Sequence, residues 1–382
     1  MKIQRLFILL LICIIFISGC NLPKKNKEEK IKKEELLKDK EIKKSIFKDY
    51  YKEATELVNK MTIEEKIAQL FIVAYDQYYI NKYSETPPGG YLLFAKDFEN
   101  HTKESIKEEL QKANKISKYP LILAVDEEGG YVTRISRFKE YRNEKFLSPK
   151  YYYETGGESL LKETETEKAN LLKSIGINLN LAPVADVSID PNDFIYNRTF
   201  GKDAIETSQL IKKMVEYANE NNINSCLKHF PGYGNNKDTH TGIAIDNRSY
   251  ESIKENDYLP FKKGIEAKVP SILVSHNIVN SIDPDYPASL SSKVHDELRN
   301  TLGFTGIIMT DDLAMDAVKN YVENNEAATL AISSGNDMII TSDFSNMYEE
   351  VLKSYKEGKI KEEVIDKAVL RIIAWKYYSC IF

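Results

Sequence analysis

The chain reads as an α/β protein, a (β/α)8 TIM-type barrel with a single catalytic domain, and three observations predict it. Eight short apolar runs recur at even spacing: Leu70–Ala74, Gly90–Phe94, Leu121–Val125, Ile177–Pro183, Asn224–Lys228, Ser271–Ser275, Gly306–Thr310 and Asp337–Thr341. Their apolarity is continuous rather than alternating, as in strands covered on both faces of a parallel sheet. Helical patterns such as Lys103–Ser117, Glu206–Asn221 and Ser292–Leu302 lie between most of them, and that alternation is the signature of a closed α/β barrel. A doubly wound open sheet is the structural alternative.

The elements follow in order. Lys2 and Arg5 precede twelve apolar residues, Leu6–Ile17, too short a run to span a bilayer but suited to the core of an export signal. It ends in Ile17-Ser18-Gly19-Cys20, which looks like a bacterial lipobox with Cys20 as the acylated residue. An ordinary signal peptide with an incidental cysteine is the other reading. Residues 1–19 are therefore assigned as a lipoprotein signal and residues 20–50 as a lysine-rich tether. The stretch Lys24–Lys48 holds eleven lysines against six acids, a charge suited to an anionic membrane surface. Taking its +5 and the +2 of Lys2 and Arg5 from the whole-chain −5 leaves −12 for residues 49–382. An exported, acidic globular part argues against nucleic acid as a partner.

The barrel is assigned to residues 51–382. Thr62-Ile63-Glu64-Glu65 has the form of a capping box, so a helix starts near Met61. The stretch Asn346–Trp375 reads as two helices broken at Gly358. Cys20, Cys226 and Cys380 remain after signal removal. Their spacing fits neither a metal site nor a disulfide framework.

In a parallel barrel the chemistry sits at the C-terminal strand ends. Asp126, Asp186, Lys228 with His229, His276 and Asp311 each stand at or just past the last apolar residue of a run. One such residue is more simply a capping group; five together predict a polar pocket on one barrel face. Asp311 is the candidate nucleophile, a carboxylate able to attack an anomeric carbon. Asp238 and His240 can form a dyad in which the carboxylate favours the imidazolium, a general acid and then base. On local sequence alone an Asx-turn beside a solvated histidine is the better reading. His276 either lines the pocket or is a satisfied core histidine. Asp186 reads as structural, and Glu127 and Glu128, beside Gly129-Gly130, as residues that fix a turn.

Six motifs, in order, carry a resemblance. They are Met61-Thr62-Ile63-Glu64-Glu65-Lys66-Ile67; Val125-Asp126-Glu127-Glu128-Gly129-Gly130-Tyr131-Val132-Thr133-Arg134; Ala182-Pro183-Val184-Ala185-Asp186-Val187; Arg198-Thr199-Phe200-Gly201; Lys228-His229-Phe230-Pro231-Gly232-Tyr233-Gly234 with Asp238-Thr239-His240; and Thr310-Asp311-Asp312-Leu313-Ala314-Met315. From about residue 57 to the C-terminus the chain resembles family-3 glycoside hydrolases, specifically the bacterial β-N-acetylglucosaminidase (β-hexosaminidase) branch. The resemblance implies a retaining, exo-acting enzyme that removes terminal N-acetylglucosamine from cell-wall fragments or related glycans. Asp311 would be its nucleophile and Asp238–His240 its acid/base dyad. By the same resemblance Asp126, Arg134, Arg198, Lys228 and His229 would hold the terminal sugar. Salt-bridge roles inside the barrel are the alternative for Arg134 and Arg198.

The resemblance implies no metal or organic cofactor, a glycan substrate, a lipid-anchored extracytoplasmic location and no obligate protein partner. Three departures stand out: Tyr233 replaces the usual histidine, Tyr131 the usual arginine, and the loop from Gly234 to Asp238 is one residue shorter. A phosphorylase or β-glucosidase of the same family is the enzymatic alternative, and a glycan-binding lipoprotein the non-enzymatic one.

Overall fold

A computed structural model describes residues 40–234, 244–315, 318, 321 and 326–382. Cys20, Asp238 and His240 lie outside the described residues. Eight parallel strands close into a barrel: β1 (Phe71–Ala74), β2 (Gly90–Leu93), β3 (Ile122–Val125), β4 (Leu179–Asn180), β5 (Asn224–Phe230), β6 (Ser271–Val274), β7 (Ile307–Asp312) and β8 (Met338–Thr341). Each of the eight apolar runs becomes one strand. The register is set by pairs such as Ile72↔Ile340 across the closing seam and Leu92↔Ala124 between β2 and β3. The open-sheet alternative is thereby excluded.

Burial explains why the runs are continuous. Phe71, Ile72, Val73, Ile122, Ala124, Val125, Ile307, Ile308 and Ile339 are all fully buried, sealed on one side by neighbouring barrel residues and on the other by helices. Strand β4 is shorter than its run. Its hydrogen bonding continues irregularly, with Cys226 N–H donating to Ala182 O at 2.9 Å.

The first helix of the barrel, Ile63–Gln69, begins at a true capping box: Glu65 N–H donates to Thr62 Oγ1 at 3.3 Å, and Thr62 N–H to Glu65 Oε2 at 2.8 Å. At the C-terminus, Phe344–Lys356 and Glu362–Tyr378 form the expected helix pair, separated at Gly358 with φ +75°. The last helix lies across the N-terminal ends of the strands. Trp375 Nε1 donates to Asn224 Oδ1 at 3.0 Å, and Lys376 Nζ donates to Gln69 Oε1 at 2.7 Å and Pro120 O at 2.6 Å. That end of the barrel is a structural plug.

The folded body starts slightly ahead of residue 51. Phe47 is fully buried and its ring lies 5.2 Å from that of Tyr378, while Tyr50 meets Tyr378 edge-on at 6.1 Å. The apolar residues at the end of the lysine-rich stretch are thus part of the barrel's packing.

Candidate active site

The strand ends bring Asp126, Arg134, Arg198, Lys228, His229 and Asp311 to one cavity of about 250 Å³, shared with Glu128, Leu92, Leu273 and Met315. Sites for drug-sized ligands run to roughly 300–1,000 Å³, so this space suits one terminal residue of a polymer. Two other cavities sit at the opposite end of the barrel, where Arg299 and Arg371 already pair with Asp337.

Glu128 is the hub of the polar wall. Its Oε1 lies 2.7 Å from Lys228 Nζ, and Arg198 grips it with two hydrogen bonds, Nε–Oε2 at 3.0 Å and Nη2–Oε1 at 2.7 Å. Lys228 also meets Asp126 Oδ1 at 2.6 Å. The side chains of Glu128 and Lys228 are 5% and 4% exposed. Burial alone would push the Glu128 carboxyl up, but the Lys228 and Arg198 charges outweigh it and hold it well below the usual carboxylate range. Burial likewise disfavours the Lys228 ammonium, and Asp126 and Glu128 reverse that effect and raise it. Cation and anion each justify the other's burial, since removing either leaves an uncompensated charge.

The turn reading therefore holds for one glutamate and fails for the other. Glu127 does fix the turn: Oε2 accepts Arg134 N–H at 2.7 Å and Ile135 N–H at 2.8 Å, and Oε1 accepts Ser136 N–H at 3.3 Å and the Ser136 hydroxyl. Glu128 faces the cavity instead.

Asp186 has the structural role read from the sequence, and it exerts that role on a pocket residue. Fully buried, it accepts His229 Nδ1–H at 2.8 Å, His229 N–H at 3.1 Å and Tyr233 N–H at 2.7 Å. With Nδ1 donating, Nε2 of the same ring is left to accept from Arg198 Nη2 at 3.3 Å. His229 thus orients Arg198 in this arrangement, rather than supplying a free donor to a sugar oxygen. Tyr233 packs edge-on against the His229 ring at 4.9 Å and holds it from the other side.

Arg134 lines the cavity, and its Nε is buried without a hydrogen-bond partner among the described residues. An orphaned guanidinium N–H beside a cavity is the kind of group a bound ligand satisfies. Asp311 stands near the end of β7, half-buried, with Oδ1 accepting Asp312 N–H at 2.9 Å. Asp312, which also borders the cavity, accepts Ala314 N–H at 2.9 Å and Ser342 N–H at 3.2 Å. His276 does not reach the cavity. It is fully buried, between the Ser289 hydroxyl at 2.7 Å and the Asp312 carbonyl at 3.1 Å, and supports β7 from behind. Among the described residues no group of His, Cys, Asp and Glu is arranged to hold a metal ion.

The sequence profile of the glycosyl hydrolase family 3 N-terminal domain matches residues 62–375. A beta-hexosaminidase of Nitrosomonas eutropha is 32% identical over 278 residues, covering 70% of this chain and 77% of that protein. A family 3 beta-N-acetylglucosaminidase from Paenibacillus superposes with a TM-score of 0.78 at 24% identity over 84% of this chain, which spans 63% of that structure's length. A beta-N-acetylhexosaminidase from Beutenbergia cavernae gives 0.73 at 24% identity, covering 83% of this chain and 99% of that one.

Proposed function

The chain belongs to glycosyl hydrolase family 3, and from that premise we propose that it is a retaining, exo-acting β-N-acetylglucosaminidase. Its substrate is terminal, non-reducing N-acetylglucosamine on cell-wall fragments or related glycans. The observation that carries this reading is the pairing of Asp311 with the Asp126–Lys228–Glu128–Arg198 wall in one small cavity at the C-terminal strand ends. The beta-hexosaminidase names of the relatives support the sugar assignment.

The chemistry proceeds in two displacements. An Asp311 oxygen bonds to the anomeric carbon as the glycosidic C–O bond breaks, and the departing oxygen takes a proton from the His240 imidazolium, held by Asp238. The neutral ring then removes a proton from water, whose oxygen displaces Asp311 and restores the starting configuration. Asp126 accepts hydroxyl hydrogens of the sugar, while Lys228, Arg198 and the unpartnered Arg134 Nε donate to its oxygens. Lys228 and Arg198 enter that role paired with Glu128, and Lys228 with Asp126 as well, so two carboxylates balance the two cations.

Chromogenic N-acetylglucosaminide hydrolysis is the test. It is expected to vanish in Asp311→Ala and to be indifferent to phosphate; turnover that requires phosphate would make the protein a phosphorylase. The lipoprotein reading of Cys20 rests on the sequence motif. It predicts that lipid labelling of the full chain disappears in Cys20→Ser.

A further inference from the structure

Behind the cavity, one buried ion-pair cluster joins the two ends of the segment 235–243, the stretch that carries Asp238 and His240. Arg248 donates to Asp246 through Nε (3.0 Å to Oδ2) and Nη2 (2.7 Å), and to Asp257 through Nη1 (2.7 Å) and Nη2 (3.2 Å). Both carboxylates are 1% exposed. Asp246 belongs to the returning end, where Ile245–Asp246 pairs in parallel with Ile278–Val279 beyond β6.

The leaving end rests on the same cluster. A Cβ added to Gly234 (φ +57°) would lie 2.7 Å from Arg248 Nε, and one added to Gly232 (φ +125°) 2.7 Å from Asp257 Cβ. Neither glycine has room for a side chain, because the ion pair fills that space. The leaving end is tied a second time by Tyr233 N–H to Asp186, the carboxylate that also holds His229.

We infer that Arg248, bridging Asp246 and Asp257 and packed on Gly234, is a positioning residue that sets where the acid/base segment leaves and rejoins the barrel. The inference rests on the proposed role of His240. A single guanidinium fixes both anchors of a nine-residue segment, and small displacements of an acid catalyst are costly to rate. Lysine cannot replace it, because one ammonium lacks the planar fork that spans two carboxylates.

The test compares two N-acetylglucosaminides, phenyl and 2,4-dinitrophenyl, on the whole protein. Phenolate is a poor leaving group and needs the proton; dinitrophenolate does not. In Arg248→Lys and Gly234→Ala, kcat/KM on the phenyl glycoside, which reports the first displacement, should fall about 10²-fold, within the range that general acid catalysis supplies. On the dinitrophenyl glycoside kcat/KM should fall less than about fivefold. His240→Ala serves as the reference and should show a still steeper split. A His240→Ala variant without the split overturns the acid/base reading itself. A split in His240→Ala with equal losses on both glycosides in the Arg248 and Gly234 variants, whether from a weakened fold or a damaged pocket, overturns this inference alone.

Discussion

Replacing Glu128 by glutamine removes one charge and almost no volume, and it isolates what that charge does. Two cations lie within 2.7 Å of the carboxylate, in a wall where Glu128 and Lys228 are nearly inaccessible to water. Glutamine can offer one carbonyl oxygen, but its amide N–H groups then face the N–H groups of Lys228 or Arg198. Breaking a buried ion pair from one side costs roughly 3–5 kcal/mol. With an unfolding entropy of about 2.1 cal/mol/K per residue over some 340 residues, that corresponds to an unfolding temperature lower by about 4–7 °C. Substrate affinity should suffer as well, with kcat/KM lower by about tenfold or more as the two donors relax, since tenfold needs only about 1.4 kcal/mol.

The pH dependence has a definite sign. The folded-state carboxyl of Glu128 is depressed, so its stabilisation is present above the unfolded value of about 4.3 and is lost as pH falls below it. Thermal unfolding followed by circular dichroism should therefore show a constant gap between wild type and Glu128→Gln from about pH 5 to 8, narrowing in more acid buffer. An unfolding temperature unchanged to within a degree at neutral pH, with kcat/KM intact, would refute the view of Glu128 as the charge that permits Lys228 and Arg198 to be buried.

Two further outcomes follow from buried groups outside the sugar-facing wall. Asp186→Asn sets an amide N–H against His229 Nδ1–H and turns the ring's donor toward Arg198; kcat/KM should fall about 10-fold or more and stability by about 1–3 kcal/mol. Kinetics within twofold of wild type would show that His229 does not place Arg198. At the opposite end, burial pushes Lys376 down to about 7, and its neutral amine has two hydrogens for the two acceptors Gln69 Oε1 and Pro120 O. Between about pH 7 and 10 the unfolded chain binds the proton that the folded one lacks, so this group makes stability rise with pH. Lys376→Met should lack that rise, worth about 2.3 kcal/mol between pH 7 and 9. Parallel wild-type and variant curves over that range would contradict it.

The barrel was legible because continuous apolar runs report burial on both faces, and each of the eight became one strand. Convergence of Asp126, Arg134, Arg198, Lys228, His229 and Asp311 was legible for a related reason: parallel strands place all their C-terminal ends on one face. Glu128 was misread because its meaning lies in partners far along the chain, whereas Asp186 is structural as read. Arg198 and Lys228 are distant from Glu128 in sequence, and nothing local marks a glutamate beside two glycines as the centre of a charge network. His276 shares its strand-end position with the pocket residues, yet its ring points to Ser289 and the Asp312 carbonyl. Strand position fixes the end of the barrel a residue occupies, and packing decides which way its side chain turns. The start of the folded body was missed because lysines dominate the stretch before it, while Phe47 and Tyr50 meet Tyr378.

Covalent trapping probes Asp311 most directly. A fluorinated N-acetylglucosaminyl donor with a good leaving group slows breakdown of the glycosyl ester, so peptide mass spectrometry of the inactivated protein can locate the label. A single sugar mass on the peptide containing Asp311, absent in Asp311→Asn, is the predicted result. Time-dependent inactivation with the sugar on another residue, or steady turnover of the donor with no labelled peptide, would contradict the account.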